Sequence, residues 1–217
     1  SNAVLLAADA NTYVRFVPDA DWNGTVTNGI TFHAWDQTNG SNGGTADLTS
    51  VTDDVQDQFG TASYSNNSGT ANWVSDWTEV DAGGGAATSG NVLSTGGELR
   101  INAVGSSVAR EVDLTGATTA TLSFDFRIGS GVESGDPDSV VLEISNDGGT
   151  TWTLLEDFNT FDGVNSGSRN YDISAYAAVD TQVRFRVDNG YGGPDEFFYV
   201  DNVQIQYSTG TGGSSAF

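Results

Sequence analysis

The sequence contains no lysine, no cysteine and no methionine, and its seven basic residues face 29 acidic ones. The formal net charge of −22 would repel a nucleic acid or an anionic membrane surface, so neither is expected as a partner. Without cysteine there is no disulfide framework, no thiol nucleophile and no cysteine-ligated zinc. A single histidine, His33, excludes a histidine-rich metal site, and no run of 18 apolar residues is present to span a bilayer.

Aromatic residues and glycines, in contrast, are plentiful: 11% of the residues are aromatic and 28 are glycine. Apolar and polar residues alternate along many short segments, and helical periodicity is nearly absent. This pattern predicts an all-β, antiparallel two-sheet sandwich or jelly roll. The strongest predicted strands are Thr119–Arg127, Ser139–Ser145, Gln182–Val187 and Phe197–Tyr207. Weaker strands are predicted at Tyr13–Val17, Ile30–Trp35, Trp73–Val80, Glu98–Ala103, Val108–Val112, Trp152–Phe158 and Asn170–Ile173, with one helical turn in Ala175–Val179.

The chain is expected to contain one complete domain and one incomplete domain. Residues 1–3 are interpreted as the remnant of an expression tag. Residues 4–52 are too few for a sandwich of about 100 residues and are interpreted as the last strands of a preceding repeat. Residues 53–207 suffice for a full sandwich, and the Gly/Ser-rich residues 208–217 form a linker. An unpaired strand edge exposes backbone N–H and C=O groups that can pair with another strand. Residues 4–52 are therefore predicted to pack on the main domain or on another copy of the chain.

Two stretches resemble known families. Val14–Asp47 carries the pattern F-x-P-x-x-x-x-x-G-T and then a strand that ends in Ala-Trp-Asp, and it resembles the closing strands of a cadherin-like, Ig-like repeat of giant bacterial surface proteins. Asp57–Ile205 resembles a bacterial jelly-roll module distantly related to MAM domains and carbohydrate-binding modules. The matching segments of this second stretch are Asp57-Gln58-Phe59, Ser123–Arg127, Val183–Arg186 and Tyr199–Val203.

The resemblance to MAM-like modules implies a structural calcium ion. In such modules an aspartate at the start and one in the last strand lie side by side, and the matching residues here are Asp57 and Asp201. Asp54 and Asp81 are predicted as further ligands, because calcium takes six to eight oxygen ligands. The alternative is that these aspartates are solvated turn residues.

Two acidic loops, Gly135–Ser139 and Val187–Glu196, are predicted to contact a ligand. They combine hydrogen-bond acceptors with one aromatic ring, the mixture that a sugar site requires, although turns favour several of the same residues. The Asp136/Asp138 pair is considered as a second calcium site that a sugar also contacts. The predicted ligand-binding residues are Asp136, Asp138, Asp188, Asn189, Tyr191, Asp195 and Glu196.

Two further features are predicted to be structural. Ser145–Trp152 fits the Asp-box pattern S-x-D-x-G-x-T-W seen in sialidases, and it is expected to form a hairpin in which Asp147 binds backbone N–H groups and Trp152 packs beneath. Trp73 and Trp77 lie four residues apart and should point to the same side of a strand, either into the core, which is favoured, or outwards as a sugar-stacking platform.

No catalytic motif is present, and the chain is not expected to be an enzyme: a Ser-His-Asp triad would depend on His33, and there is no G-x-S-x-G elbow. The sequence therefore predicts a secreted or surface-displayed, calcium-stabilised adhesion module that binds an extracellular glycan or another surface ligand. Two alternatives stay open, namely a structural spacer in an adhesin stalk and an accessory or catalytic domain of a secreted polysaccharide hydrolase. Self-association through the N-terminal strands is a further expectation.

Overall fold

The structure is a computed structural model that describes residues 2–15, 17, 19–25, 41–47, 51–132, 135, 137–159 and 164–209. The chain divides into two compact units, with boundaries after Val51 and after Ser208. The larger unit, Thr52–Ser208, contains nearly all of the regular structure. In the smaller unit, two short strands pair in register from Asn2 opposite Asp47 to Val4 opposite Thr45. The part of the chain that the structure describes contains no helix long and apolar enough to cross a membrane.

Thirteen strands and one turn of 3-10 helix, Ser174–Tyr176, lie in the described residues. In chain order the strands are β1 Asn2–Val4, β2 Thr45–Asp47, β3 Val51–Asp57, β4 Thr78–Val80, β5 Val92–Thr95, β6 Glu98–Ile101, β7 Ser107–Val112, β8 Ala117–Ile128, β9 Ser139–Ser145, β10 Thr153–Asn159, β11 Ser166–Asp172, β12 Thr181–Asn189 and β13 Phe198–Thr209.

The larger unit is a sandwich of two antiparallel sheets, so the predicted fold class is confirmed. One sheet has five strands in the order β10-β9-β12-β7-β4. The other has six strands, in which β11-β8-β13-β6-β5 are neighbours and β3 also pairs with β13. Each sheet therefore has one face towards the core and one face towards solvent, and the outer faces are available to a ligand.

Alternation along the strands explains how the core forms. In β12, Val183, Phe185 and Val187 are completely buried, whereas the residues between them are half-buried polar side chains that point outwards. Phe185 meets Phe124 of β8 edge to face, with ring centroids 5.1 Å apart. Burying each such side chain contributes about 1.5–3 kcal/mol, and this contribution holds the two sheets together.

Most of the predicted strands are confirmed, but two predictions need correction. Of Trp73–Val80 only the last three residues form a strand, because Trp73 and Trp77 belong to a loop that folds into the core. The described residues of Tyr13–Val17 form no strand, and Ile30–Trp35 lies outside the described residues. The sequence reasoning missed β1, β2, β3 and β5. The predicted helical turn is present, shifted to Ser174–Tyr176.

Candidate functional site

Asp57, the first predicted calcium ligand, forms a buried ion pair. Its side chain and that of Arg110 are both fully buried, and Arg110 Nη1 lies 2.8 Å from Asp57 Oδ2. The same oxygen accepts a hydrogen bond of 2.9 Å from Trp77 Nε1, while Oδ1 accepts one of 2.8 Å from the backbone N–H of Phe59. Burial raises the pKa of Asp57, and these donors and the guanidinium oppose that shift.

Arg110 uses its other donors on backbone carbonyl groups. Its Nη2 donates to the carbonyl oxygen of Asn66 at 2.9 Å, and its Nε donates to that of Ser75 at 3.0 Å. The guanidinium carbon lies 4.8 Å from the ring centroid of Trp73 and 5.6 Å from that of Trp77. Burial lowers the pKa of Arg110 to about 10, so the side chain stays charged at neutral pH. The prediction that the two tryptophans belong to the core is confirmed.

Asp81, another predicted calcium ligand, is bound by backbone amides. Oδ1 accepts hydrogen bonds from the N–H groups of Gly83 and Gly84 at 2.7 and 2.8 Å. Oδ2 accepts from those of Asn91 and Val92 at 2.5 and 3.0 Å. Burial opposes ionisation, but the four donors outweigh it and lower the pKa of Asp81. The carboxylate thus organises its own loop.

The other two predicted ligands lie on the outer face of the six-stranded sheet. Asp54 Oδ1 accepts from the hydroxyl of Thr70 at 2.9 Å, and its Oδ2 accepts from Gln204 Nε2 at 2.9 Å. Asp201 Oδ1 accepts from the backbone N–H of Asn202 at 2.6 Å. Burial raises the pKa of Asp201, and nearby carboxylates, including that of Asp57, add to this shift.

The structure does not gather the four aspartates around one ion. Asp57 and Asp201 are near enough to repel each other, but Arg110 supplies the positive charge beside Asp57. Within the described residues, no group of three or more His, Asp or Glu side chains is arranged to hold a metal. These residues therefore do not fit a shared calcium ion, and calcium stabilisation stays a prediction from the sequence.

The predicted ligand-binding loops contain more buried structure than expected. Tyr191 is fully buried, and Asp138 is 4% exposed. The backbone N–H of Tyr191 donates to Asp138 Oδ1 at 2.9 Å, which fastens one loop to the other. Burial and the nearby carboxylates raise the pKa of the Tyr191 hydroxyl. A ring buried in this way has no free face for a sugar, so Tyr191 acts here as a core residue.

The remaining predicted loop residues do not converge on a site. Arg186 Nη1 donates to Asp188 Oδ1 at 2.6 Å, and Glu196 Oε2 accepts from the N–H of Gly193 at 2.5 Å. Asn189 and Asp195 are exposed. Asp136 lies outside the described residues, so the structure gives no account of the Asp136/Asp138 pair. Ligand contact by these loops stays a prediction.

The Asp-box hairpin has the predicted geometry. Asp147 Oδ1 accepts hydrogen bonds from Ser145 Oγ at 2.7 Å and from the backbone N–H of Thr151 at 2.8 Å, and Oδ2 accepts from Thr151 Oγ1 at 2.6 Å. Gly148 and Gly149 both have positive φ angles, 66° and 83°, which only glycine adopts without strain.

The donors around Asp147 predict a measurable acid titration. The side-chain and backbone donors of Thr151, together with Ser145, lower the pKa of Asp147 from 3.8 to about 2. A pKa lowered in the folded state contributes stability that is present above about pH 4 and is lost as the pH falls through about 2. We expect an NMR titration to give a midpoint near pH 2 for this carboxyl, and Thr151→Val to raise it. An unchanged midpoint in the variant would contradict the assignment.

An open cleft of about 310 Å³ crosses the outer face of the six-stranded sheet. We call it the polar cleft, because all of its lining residues except Phe124 are polar. Strands β3, β8, β11 and β13 supply its walls, and each strand points alternate side chains outwards. The lining residues are Gln56, Ser123, Phe124, Asp125, Ser168, Arg169, Asn170, Asn202 and Gln204.

Asn202 is the most unusual residue of the polar cleft. It has a φ of +53° inside β13, an angle that favours glycine or asparagine. Because Asp201 and Asn202 are both only half-buried, the inward-outward alternation of the strand slips at this point, as in a β-bulge. Asn202 Nδ2 donates to Asp125 Oδ2 at 2.9 Å, and Ser168 Oγ donates to Asp125 Oδ1 at 2.5 Å. These two donors lower the pKa of Asp125, which keeps it an acceptor at neutral pH.

Stacked arginine and aromatic side chains lie on the same face, next to the polar cleft. The guanidinium of Arg127 lies 3.4 Å from the ring centroid of Tyr199, and that of Arg100 lies 4.2 Å from that of Phe197. Arg127 also forms a two-pronged ion pair with Glu98, at 2.7 and 2.5 Å. The result is a patch of stacked charged and aromatic groups whose Tyr199 lies three residues before Asn202 along β13.

A second cleft, of about 260 Å³, crosses the outer face of the five-stranded sheet. We call it the Trp152 cleft, because this half-buried tryptophan stands at one side of it. Strands β4, β7 and β12 and the Asp-box hairpin contribute to it. The lining residues are Ser75, Thr78, Val80, Ser107, Ala109, Arg110, Glu111, Gly148, Gly149, Trp152, Gln182 and Arg184.

The sequence reasoning did not select either cleft, although a signal was present. The strand Thr119–Arg127 places Ser123, Asp125 and Arg127 on one face by simple alternation. The same rule, applied to β13, places Tyr199 and Asp201 together. Which strands would lie side by side could not be read from the pattern, so these residues were not recognised as one surface.

Comparison with known proteins gives a family and a set of folds. The model of the Reelin subrepeat B family matches residues 83–206, more than half of this chain. Among curated proteins, none matches this sequence.

Several solved structures of carbohydrate-binding modules are similar in fold. A xylan-binding module, CBM15, is 9% identical with a TM-score of 0.45, and the match covers 64% of this chain and 95% of the module. The CBM22-1 xylan-binding domain of Paenibacillus barcinonensis Xyn10C is 9% identical with a TM-score of 0.43, covering 71% and 93%. A CBM4 structure is 16% identical with a TM-score of 0.41, covering 69% and 96%. At such identities the likeness concerns the fold alone.

Proposed function

This chain belongs to the Reelin subrepeat B family, and we propose that it is a non-catalytic module that binds a neutral carbohydrate in the polar cleft. The observation that carries this proposal is the composition of the cleft. Asparagine and glutamine amides, serine hydroxyls, one carboxylate and the guanidinium of Arg169 line an open furrow on the sheet. Sugar hydroxyl groups both donate and accept hydrogen bonds, and these side chains offer both functions.

The preorganisation of the cleft supports binding. Asn202, Asp125 and Ser168 hold one another through hydrogen bonds before any ligand arrives. Each half-buried side chain that is already fixed saves the entropy that its ordering would otherwise cost on binding, about 0.5–1.5 kcal/mol. The Tyr199–Arg127 stack beside the cleft provides a flat surface of the kind on which the C–H face of a sugar ring packs.

Charge restricts the ligand class. The net charge of the chain is −22. Arg169, which lines the cleft, is already paired with Glu156, and Arg127 beside the cleft is paired with Glu98. A polyuronate or a sulfated glycan would approach a negative field without a free cation to receive it. The expected ligand is therefore a neutral polysaccharide.

The test is binding to a panel of neutral polysaccharides, measured by affinity electrophoresis and calorimetry. We expect Asn202→Gly, which keeps the positive φ available but removes the amide, and Tyr199→Ala to weaken binding about 3- to 10-fold each. This range corresponds to the loss of one or two contacts of about 0.5–1.5 kcal/mol. Thr119→Ala is the matched control, since Thr119 is exposed on the same strand face but does not line the cleft. Absence of binding to every neutral polysaccharide in the panel would refute the proposal.

The biological setting is part of the same proposal. The absence of lysine and the strongly acidic composition support a secreted or surface-displayed protein, as the resemblance to adhesin modules implies. We retain three further proposals. Residues 4–52 are the end of a cadherin-like repeat, the jelly-roll module is related to MAM domains, and the chain self-associates through its N-terminal strands.

A further inference from the structure

The Trp152 cleft lies on the sheet opposite the polar cleft, and its tryptophan is held differently from a core residue. Trp73 and Trp77 are 6% and 3% exposed inside the sandwich, whereas Trp152 is half-buried at the surface. The guanidinium carbon of Arg184 lies 3.9 Å from its ring centroid. The indole is therefore part of an outer surface and is stacked on a charged group.

The position of Trp152 is set by the Asp-box hairpin. The Asp-box hairpin ends at Trp152, and the hairpin is closed by the hydrogen bonds of Asp147. A Cβ atom on Gly149 would lie 3.2 Å from Trp152 Cζ2 and 2.8 Å from Gln182 Oε1. Glycine at this position thus lets the hairpin fold down onto β12. Both Asp-box glycines line the cleft, so the hairpin motif builds one of its walls.

Hydrogen-bonding side chains face the ring across the cleft. Gln182 Nε2 donates to Glu111 Oε2 at 2.8 Å, which orders both side chains. Thr78 is exposed at the far side, and the small side chain of Ala109 leaves room between them. An aromatic surface opposite ordered amide, carboxylate and hydroxyl groups is suited to a pyranose ring, which has both a C–H face and hydroxyl groups.

The charges of this cleft favour a neutral occupant. Glu143 accepts hydrogen bonds from Arg184 Nε at 2.8 Å and from Arg186 Nη2 at 3.2 Å, and Asp188 accepts a further one from Arg186 Nη1 at 2.6 Å. With Glu111 also present, the two arginines are fully neutralised. An anionic group would find no free cation, whereas a sugar needs none.

We propose that the Trp152 cleft is a second saccharide-binding site, so that one chain holds two segments of neutral glycan on opposite faces of the sandwich. This site is built from different residues and a different sheet from the polar cleft, but it takes the same class of ligand. Because the two sites face opposite directions, each chain would bind two polysaccharide strands and so cross-link them without forming an oligomer.

The test is binding stoichiometry with neutral hexasaccharides of β-1,4-glucan, β-1,4-xylan, β-1,4-mannan and an α-glucan, measured by calorimetry on the full chain. We expect two ligands per wild-type chain and one per chain for Trp152→Ala. Asn202→Gly is expected to keep two ligands, one of them bound about 3- to 10-fold more weakly, and the double variant is expected to keep only that weakened one. Trp22→Ala is the matched control, because Trp22 is 45% exposed and belongs to the smaller unit. Ala109→Phe fills the cleft and leaves the tryptophan in place. It provides an independent measurement of the stoichiometry if Trp152→Ala does not fold.

The outcomes separate the two proposals. One ligand per wild-type chain, with Trp152→Ala and Ala109→Phe unchanged, overturns the second site and leaves the polar cleft intact. If Trp152→Ala binds no ligand at all while Asn202→Gly and Tyr199→Ala bind as the wild type does, the polar-cleft proposal is overturned instead. Absence of binding in the wild-type chain overturns both. Precipitation of the parent polysaccharide by the wild type but not by Trp152→Ala confirms cross-linking.

Discussion

Replacing Arg110 by methionine is expected to lower the free energy of unfolding by about 3–5 kcal/mol, the usual cost of removing one partner of a buried ion pair. Methionine fills a similar volume, so the loss comes from electrostatics. Asp57 would stay buried without its cation, and the carbonyl groups of Asn66 and Ser75 would lose their donor. Urea denaturation followed by tryptophan fluorescence measures the change, since Trp73 and Trp77 flank the guanidinium.

Two further variants identify the cause of this loss. The double variant Arg110→Met/Asp57→Asn is expected to recover part of it, because no uncompensated charge is left in the core. Arg127→Met breaks a half-exposed pair with Glu98 and is expected to cost about 1 kcal/mol or less. An Arg110→Met variant as stable as Arg127→Met would show that the buried pair contributes no more than a surface pair.

Replacing Gly190 by alanine is expected to lower the free energy of unfolding by about 2–5 kcal/mol. Its φ is +68°, and a Cβ atom would lie 1.5 Å from Asp138 Oδ1. The backbone strain accounts for about 1–2 kcal/mol, and the forced displacement of a buried side chain for about 1–3 kcal/mol more. The change would also disturb the hydrogen bond from Tyr191 to Asp138, which joins the two loops.

Gly96→Ala is the matched control for this change. Gly96 has a similar φ of +65°, but nothing lies within 4 Å of the position of its Cβ atom. Alanine there is expected to cost the backbone strain alone. Thermal melts of the two variants therefore separate strain from collision, and equal shifts in melting temperature would show that the contact with Asp138 is unimportant.

The sequence predicted the sandwich because its central strands alternate strictly. β12 illustrates this, with Val183, Phe185 and Val187 all on the core side. It did not predict β3, since Val51–Asp57 carries three aspartates and has weak strand propensity. That segment is a strand because it pairs with β13, where Gln204 Nε2 donates to Asp54 Oδ2 at 2.9 Å. Pairing across 150 residues of chain cannot be recognised from a local pattern.

The candidate sites were predicted less well, for two physical reasons. Tyr191 stands in a glycine-rich, acidic loop that has the composition of an exposed one, yet Gly190 turns the chain so that the ring enters the core. Asp57 was expected to need a cation, and the cation is a side chain, Arg110, which is 53 residues away in sequence. The Asp-box hairpin was predicted in detail because the hydrogen bonds of Asp147 that close it all lie within Ser145–Thr151.

The pairing of β3 with β13 has a consequence for how the larger unit is made. These are the first and last strands of Thr52–Ser208, and the hydroxyls of Thr52 and Ser208 lie 3.0 Å apart. During translation, β3 is synthesised early and stays unpaired until β13, the final strand, has been synthesised. The six-stranded sheet, and with it the polar cleft, is completed only after translation of the unit ends, and such long-range pairing is slow to form. The nascent chain is thus exposed to aggregation for most of its synthesis, and its high negative charge, by mutual repulsion, protects it during that interval.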